Sequence, residues 1–129
     1  MTTLDECMDI ALELGETNDC GVRALALVCG IPYQTARLAL RTHGRKPCDG
    51  VYTFQLDKAL TEFCKPKPRR FVYQSNGRQY TPISIAKAYP KGRFLLYSSG
   101  HVMAMVDGKI LDWADGRRLR IKAIQEVKV

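Results

Sequence analysis

Asn18-Asp19-Cys20-Gly21-Val22-Arg23-Ala24-Leu25-Ala26-Leu27-Val28-Cys29-Gly30 is the stretch on which the reading of this chain turns. The polar residues Glu16-Thr17-Asn18-Asp19, rich in cap formers, lead into a run dominated by Ala and Leu. Gly30 is placed to end that run in the left-handed conformation that closes helices. A helix that is apolar on almost every side has no solvent face, so it belongs at the centre of a core. Its first residue is a cysteine. A thiol at that position meets the positive end of the helix dipole, which favours thiolate. Gly21 beside it is expected to leave room for a substrate carbonyl. A helix-start cysteine is ordinarily structural, and Cys20 acquires chemical meaning only when a base stands next to it.

Toward the amino terminus, Thr3-Leu4-Asp5-Glu6 is a capping box, with Leu4, Cys7, Met8, Ala11 and Leu14 following at helical spacing. That pattern predicts a helix from Leu4 to Glu13, stopped by Gly15. Past the central segment, Pro32 opens a helix over Tyr33 to Arg41 that Gly44 stops, with His43 explained as part of its C-cap. Thr53 is expected to cap a fourth helix whose Phe54, Leu56, Leu60 and Phe63 point inward. Lys65-Pro66-Lys67-Pro68 is stiff and extended, and too short to divide domains.

The period then changes. Arg70 to Gln74 reads as a strand, Asn76-Gly77 as a turn, and Thr81-Pro82 starts a short helix to Ala88. Arg93 to Ser98 is a strand, and Asp107-Gly108 joins His101–Val106 to Lys109–Trp113 in the clearest hairpin of the sequence. Arg118 to Val129 supplies one or two closing strands. Helices first and antiparallel strands later is the α+β pattern, here a single domain over residues 1–129.

The hairpin identifies the base. With Asp107 and Gly108 in the turn, Val106 pairs with Lys109, and counting outward sets Met103 against Asp112 and His101 against Ala114. His101, Met103, Asp112 and Ala114 then share a face, and the alpha carbons of His101 and Asp112 stand roughly 7–8 Å apart as diagonal neighbours. A carboxylate at that distance fixes the imidazole tautomer and stabilises the imidazolium formed when His101 takes the Cys20 proton. Asp107 lies at the turn tip, and Asp115 points to the other face if the strand continues that far. For an oxyanion hole, the Cys20 backbone N–H is one donor and the Asn18 carboxamide the candidate for a second, although Asn18 also reads as a cap. Asp19 reads as an N-cap, and Trp113 as a shield over the His101–Asp112 pair or an ordinary core residue.

Composition bounds the rest. Hydrophobic residues make up 46% and charged residues 26%, which places the chain among globular proteins and argues against wholesale disorder. Five cysteines with no C-x-x-C pair favour reduced thiols over a disulfide framework or a structural zinc site, so no metal and no cofactor is expected. No apolar run suits a membrane span, and MTTLDECMDI lacks the features of a secretion signal, so a cytoplasmic location is expected. The net charge of +7 favours acidic partners, nucleic acid included, but the basic residues are spread along the sequence and no nucleic-acid motif frames them.

Asn18-Asp19-Cys20-Gly21 before an Ala/Leu helix, then Gly30-Ile31-Pro32-Tyr33, resembles the nucleophile segment of papain-like cysteine peptidases. Gly100-His101-Val102-Met103-Ala104-Met105-Val106-Asp107-Gly108 with Asp112-Trp113 resembles the histidine hairpin of the same group. Nearest in pattern are the peptidase domains that process double-glycine leader peptides, together with small phage proteins of similar plan. The resemblance covers Asn18 to Trp113. It implies a central nucleophile helix packed on a C-terminal antiparallel sheet, a cleft between them, and thiol-dependent cleavage of an amide bond in a protein or peptide, a host protein among the candidates. By position Cys20 is the nucleophile, His101 the base and Asp112 the orienting acid. These peptidases usually carry a glutamine several residues before the cysteine, where this chain has Leu14, Glu16 and Asn18. A binding protein that keeps the fold and grips a host protein or nucleic acid through its basic surface is the alternative. A phage or viral origin fits the compact size; oligomeric state is not legible.

Overall fold

The computed structural model describes residues 2–129. Helix α1 (Leu4–Leu14) begins on the capping box: Thr3 Oγ1 accepts from the Glu6 N–H at 3.2 Å, and Glu6 Oε2 accepts from the Thr3 N–H at 3.4 Å. Helix α2 (Cys20–Cys29) follows, with Val22, Leu25, Leu27 and Val28 buried, each stabilising the fold by roughly 1.5–3 kcal/mol relative to exposure. Gly15 and Gly30 end these two helices at φ 67° and φ 69°, where a side chain would be strained. Helices α3 (Tyr33–Thr42) and α4 (Thr53–Phe63) complete the layer.

Two expectations about α4 fail. Tyr52, not Thr53, precedes the helix, and Gln55 Oε1 accepts from the Tyr52 N–H at 2.9 Å. Phe54 is 56% exposed and stacks on Tyr52 instead of pointing inward. At 3.6 residues per turn it stands about 160° from the buried Leu56, while Leu60 and Phe63 fall on the same side as Leu56.

The later half gives β1 (Lys65–Pro66), β2 (Arg70–Phe71), helix α5 (Pro82–Ala88), β3 (Arg93–Ser98), β4 (His101–Val106), β5 (Lys109–Leu111) and β6 (Ala123–Lys128). The sheet is antiparallel in the order β1-β6-β3-β4-β5, with β2 also on β6. The fold is therefore α+β, with five helices and six strands among the described residues. Val106 pairs with Lys109 as counted, and both turn residues take positive φ, Asp107 at 49° and Gly108 at 77°, which matches the strand twist. Strand β5 stops at Leu111, however, two residues earlier than expected, because the Asp112 carboxylate and carbonyl draw in the N–H groups of Ala114 and Asp115. The strand expected over Arg70 to Gln74 shortens to two residues.

Both faces of the sheet are buried. Leu95, Val102, Ala104 and Val127 pack with α2, while Phe94, Leu96, Met103, Met105, Ile110 and Ile124 form a second core with Ile85 of α5. Central strands covered on both sides read as unbroken apolar runs, as Phe94-Leu95-Leu96 and Val102 to Met105 do. No helix among the described residues is long and apolar enough to cross a membrane.

Candidate active site

Cys20 opens α2, and His101 opens β4 at the adjoining end of the sheet. Cys20, His101 and Val102 line one cleft, and thiol and imidazole stand near enough for each to shift the other's proton affinity. His101 Nε2 lies 2.8 Å from Asp112 Oδ2. A carboxylate only accepts, so Nε2 carries the proton and Nδ1 is left for the thiol. Asp112 is buried and its Oδ2 also accepts from the Ala114 N–H at 3.0 Å, which fixes the carboxylate before it fixes the ring. The Trp113 ring, 48% exposed, lies tilted against the His101 ring with centroids 5.0 Å apart.

Electrostatics follow from these contacts. Burial opposes the Cys20 thiolate most strongly, but the His101 hydrogen bond, the Val102 N–H and the charges of His101 and Arg23 together outweigh it, so the thiol pKa is lowered. The Asp112 and Cys20 hydrogen bonds raise His101 to about 9 against the opposing effect of burial. Both shifts favour a thiolate–imidazolium pair at neutral pH. The other thiols behave differently: burial pushes Cys7 up to about 11, and raises Cys29 and Cys64 as well. His43 caps α3 and bonds Glu62 at 3.1 Å, away from any thiol.

Arg23 is the participant that the sequence reading missed. It lies one turn beyond Cys20, with Nη1 3.1 Å from Asp19 Oδ1 and Nη2 3.9 Å from Asp112 Oδ1. The second separation is an electrostatic contact, too long for a hydrogen bond. Its Nε is buried without a hydrogen-bond partner. The signal was present in sequence: Arg23 is the single charge in an otherwise apolar helix. Asp19 stands at the N-cap position as expected, but its carboxylate makes no cap hydrogen bond and accepts instead from Arg23 and from the Tyr33 hydroxyl at 2.9 Å.

Asn18 is not brought to the cleft. It adopts φ 51°, and its Nδ2 donates to the Cys48 carbonyl at 3.1 Å. The Cys20 N–H, as the first of α2, is one of the four donors that a helix does not engage itself. Gly21 also serves a purpose other than the one expected. A Cβ there would stand 2.2 Å from Val51 Cγ2, so the space beside the sulfur is filled by Val51 and not left for a substrate.

Cys20 and His101 open on a cleft of about 240 Å³ walled by Gly50, Val51, Leu56, Tyr97 and Ser98. A second depression of about 380 Å³ shares Thr53, Tyr97 and Ser98 with it and reaches Arg70 and Phe71. The 44–52 loop that carries Val51 is tied down by the buried Glu16. Arg45 Nη1 and Nη2 donate to its two carboxylate oxygens at 3.1 and 3.0 Å, the Cys48 N–H donates at 2.8 Å, and Arg37 Nε is a further donor. Among the described residues no three His, Cys, Asp or Glu side chains converge as metal ligands. No protein-family model, no curated protein and no solved structure matches this chain.

Proposed function

We propose that this chain is a papain-like thiol hydrolase that cleaves an amide bond in a protein or peptide through an acyl-thioester on Cys20. The observation that carries the reading is Cys20 lining the same cleft as a His101 that is hydrogen-bonded to Asp112, with the thiol lowered and the imidazole raised. In the scheme, the Cys20 thiolate attacks the scissile carbonyl carbon, and the oxygen that becomes negative faces the Cys20 N–H. The His101 imidazolium gives its Nδ1 proton to the leaving amine as the C–N bond breaks. A water molecule then attacks the thioester while Nδ1 takes its proton, releasing the acid and restoring the thiolate–imidazolium pair. Asp112 holds the ring in the tautomer that both transfers need. The joined depressions beside Tyr97 and Ser98 suit an extended peptide, and a reducing cytoplasm would keep the thiol competent.

Iodoacetamide labelling at mildly acidic pH, read residue by residue in intact and digested protein, tests this directly. Cys20 is expected to react first, and His101→Ala to slow it roughly tenfold or more, since the unperturbed thiol pKa is about 8.5. Labelling of Cys20 at the rate of an ordinary thiol, unchanged by His101→Ala, would overturn the proposal.

A further inference from the structure

Five of the chain's 20 lysines and arginines converge on one groove beside α5: Arg78, Lys87, Arg117, Arg118 and Arg120. The groove has a volume of about 800 Å³, and no acidic side chain lines it. None of the five forms an ion pair among the described residues. Some other cations of the chain do have partners, such as Arg69 with Asp57 and Lys67 with Glu126. Guanidiniums gathered in a concavity repel one another over the Debye length of about 8 Å, and nothing in the fold relieves that repulsion. An anion bound there would.

The groove also borders the thiol site. The Arg117 guanidinium carbon lies 5.7 Å from the Trp113 ring, and that ring lies 5.0 Å from His101. A single indole therefore separates the basic groove from the imidazole. No aromatic side chain lines the groove itself, so it offers none of the stacking surfaces on which single-stranded nucleic acids depend. Arginine forks donate pairs of parallel hydrogen bonds to carboxylates.

We infer that this groove binds a run of carboxylates on a polypeptide, and that the protein cut at Cys20 carries an acidic segment next to the scissile bond. The fate of the bound chain rests on the thiol-hydrolase reading above; the binding itself does not.

The experiment is therefore run on full-length Cys20→Ala protein, with fluorescence anisotropy of labelled oligoglutamate, and with oligolysine and a single-stranded DNA of matched charge as comparators. Oligoglutamate is expected to bind and oligolysine not. Arg118→Glu with Arg120→Glu is expected to weaken binding roughly tenfold or more, and rising salt to weaken it further. Reversal of the exposed Arg41 and Lys46, which changes net charge equally, is expected to alter affinity less than about twofold. If the groove pair fails to melt cooperatively, Arg118→Gln with Arg120→Gln reads the same dependence with less perturbation. Absence of oligoglutamate binding, equal losses in both reversal pairs, or DNA binding about tenfold tighter through the same arginines would each overturn the assignment. Failure of the hydrolase reading shows separately, in Cys20 alkylation of the wild type.

Discussion

Two buried clusters of arginine and carboxylate flank the start of α2, and they differ in one respect. Around Glu16 every acceptor is taken: both oxygens receive donors from Arg45, Arg37 and the Cys48 N–H, and the guanidinium of Arg45 also reaches the Asp49 and Thr17 carbonyls. Around Asp112 the bonding is incomplete. One oxygen accepts from His101 and Ala114, the other has only Arg23 at 3.9 Å, and Arg23 Nε has no partner. Burial opposes the Glu16 charge first, yet the Arg45, Arg37 and Cys48 hydrogen bonds overcome it and hold the carboxyl at about 2. That cluster keeps one protonation state across the physiological range. The Asp112 cluster ends instead in a thiol and an imidazole with displaced pKa values, so a proton changes place within it. Saturation makes the first a clamp; incompleteness gives the second its chemistry.

The contrast is broken most severely by exchanging each carboxylate for its amide. Asp112→Asn is expected to lower amide or ester cleavage about 10²–10⁴-fold, because the His101 tautomer is no longer fixed, with a smaller change in urea midpoint. Glu16→Gln is expected to do the reverse. Leaving Arg45 buried without its counter-charge costs about 3–5 kcal/mol in urea unfolding, while Cys20 alkylation per folded molecule stays close to wild type.

Acid sharpens the same difference. Despite burial, the Arg45, Arg37 and Cys48 donors hold Glu16 at about 2 in the folded chain against an ordinary 4.5, so its ionisation contributes about 3 kcal/mol above pH 4.5 that is lost as pH falls through 2. The stability gap between wild type and Glu16→Gln is therefore expected to be full at pH 6 and to narrow steadily below pH 4.5.

For the other cluster the pH signature lies in rate. Cys20 is expected to alkylate well below the pH of an ordinary thiol, because its pKa is lowered, and cleavage is expected to decline as pH rises through about 9, where His101 loses the proton it must donate. A single alkaline rise in alkylation, like that of a free cysteine, would contradict the ion pair. The smallest expected effect concerns packing: Gly21→Ala should cost about 1–3 kcal/mol through the contact with Val51, and Gly21→Ala with Val51→Ala should recover part of it.

Local signals carried most of this architecture. The Thr3–Glu6 box, the apolar run of α2 and the Asp-Gly turn are each written within a dozen residues, and the turn alone set the register that puts Asp112 near His101. What escaped were contacts between distant positions. The Asp19 carboxylate finds Tyr33 and the Asn18 amide finds Cys48, partners that no neighbouring residue announces. Two misses had signals. Phe54 falls on the wrong side of the wheel from Leu56, and the unbroken apolar runs of β3 and β4 announced a second buried face. The basic groove had a partial signal in Arg117-Arg118-Leu119-Arg120, which Arg78 and Lys87 join only once the chain has folded.

Val51 seated over Gly21 has one more consequence. The wall facing the sulfur belongs to a surface loop, yet it is pinned from below by α2 and from behind by Glu16. A chain bound as the hydrolase proposal requires would meet a rim already set in shape, leaving the loop little configurational freedom to surrender on docking.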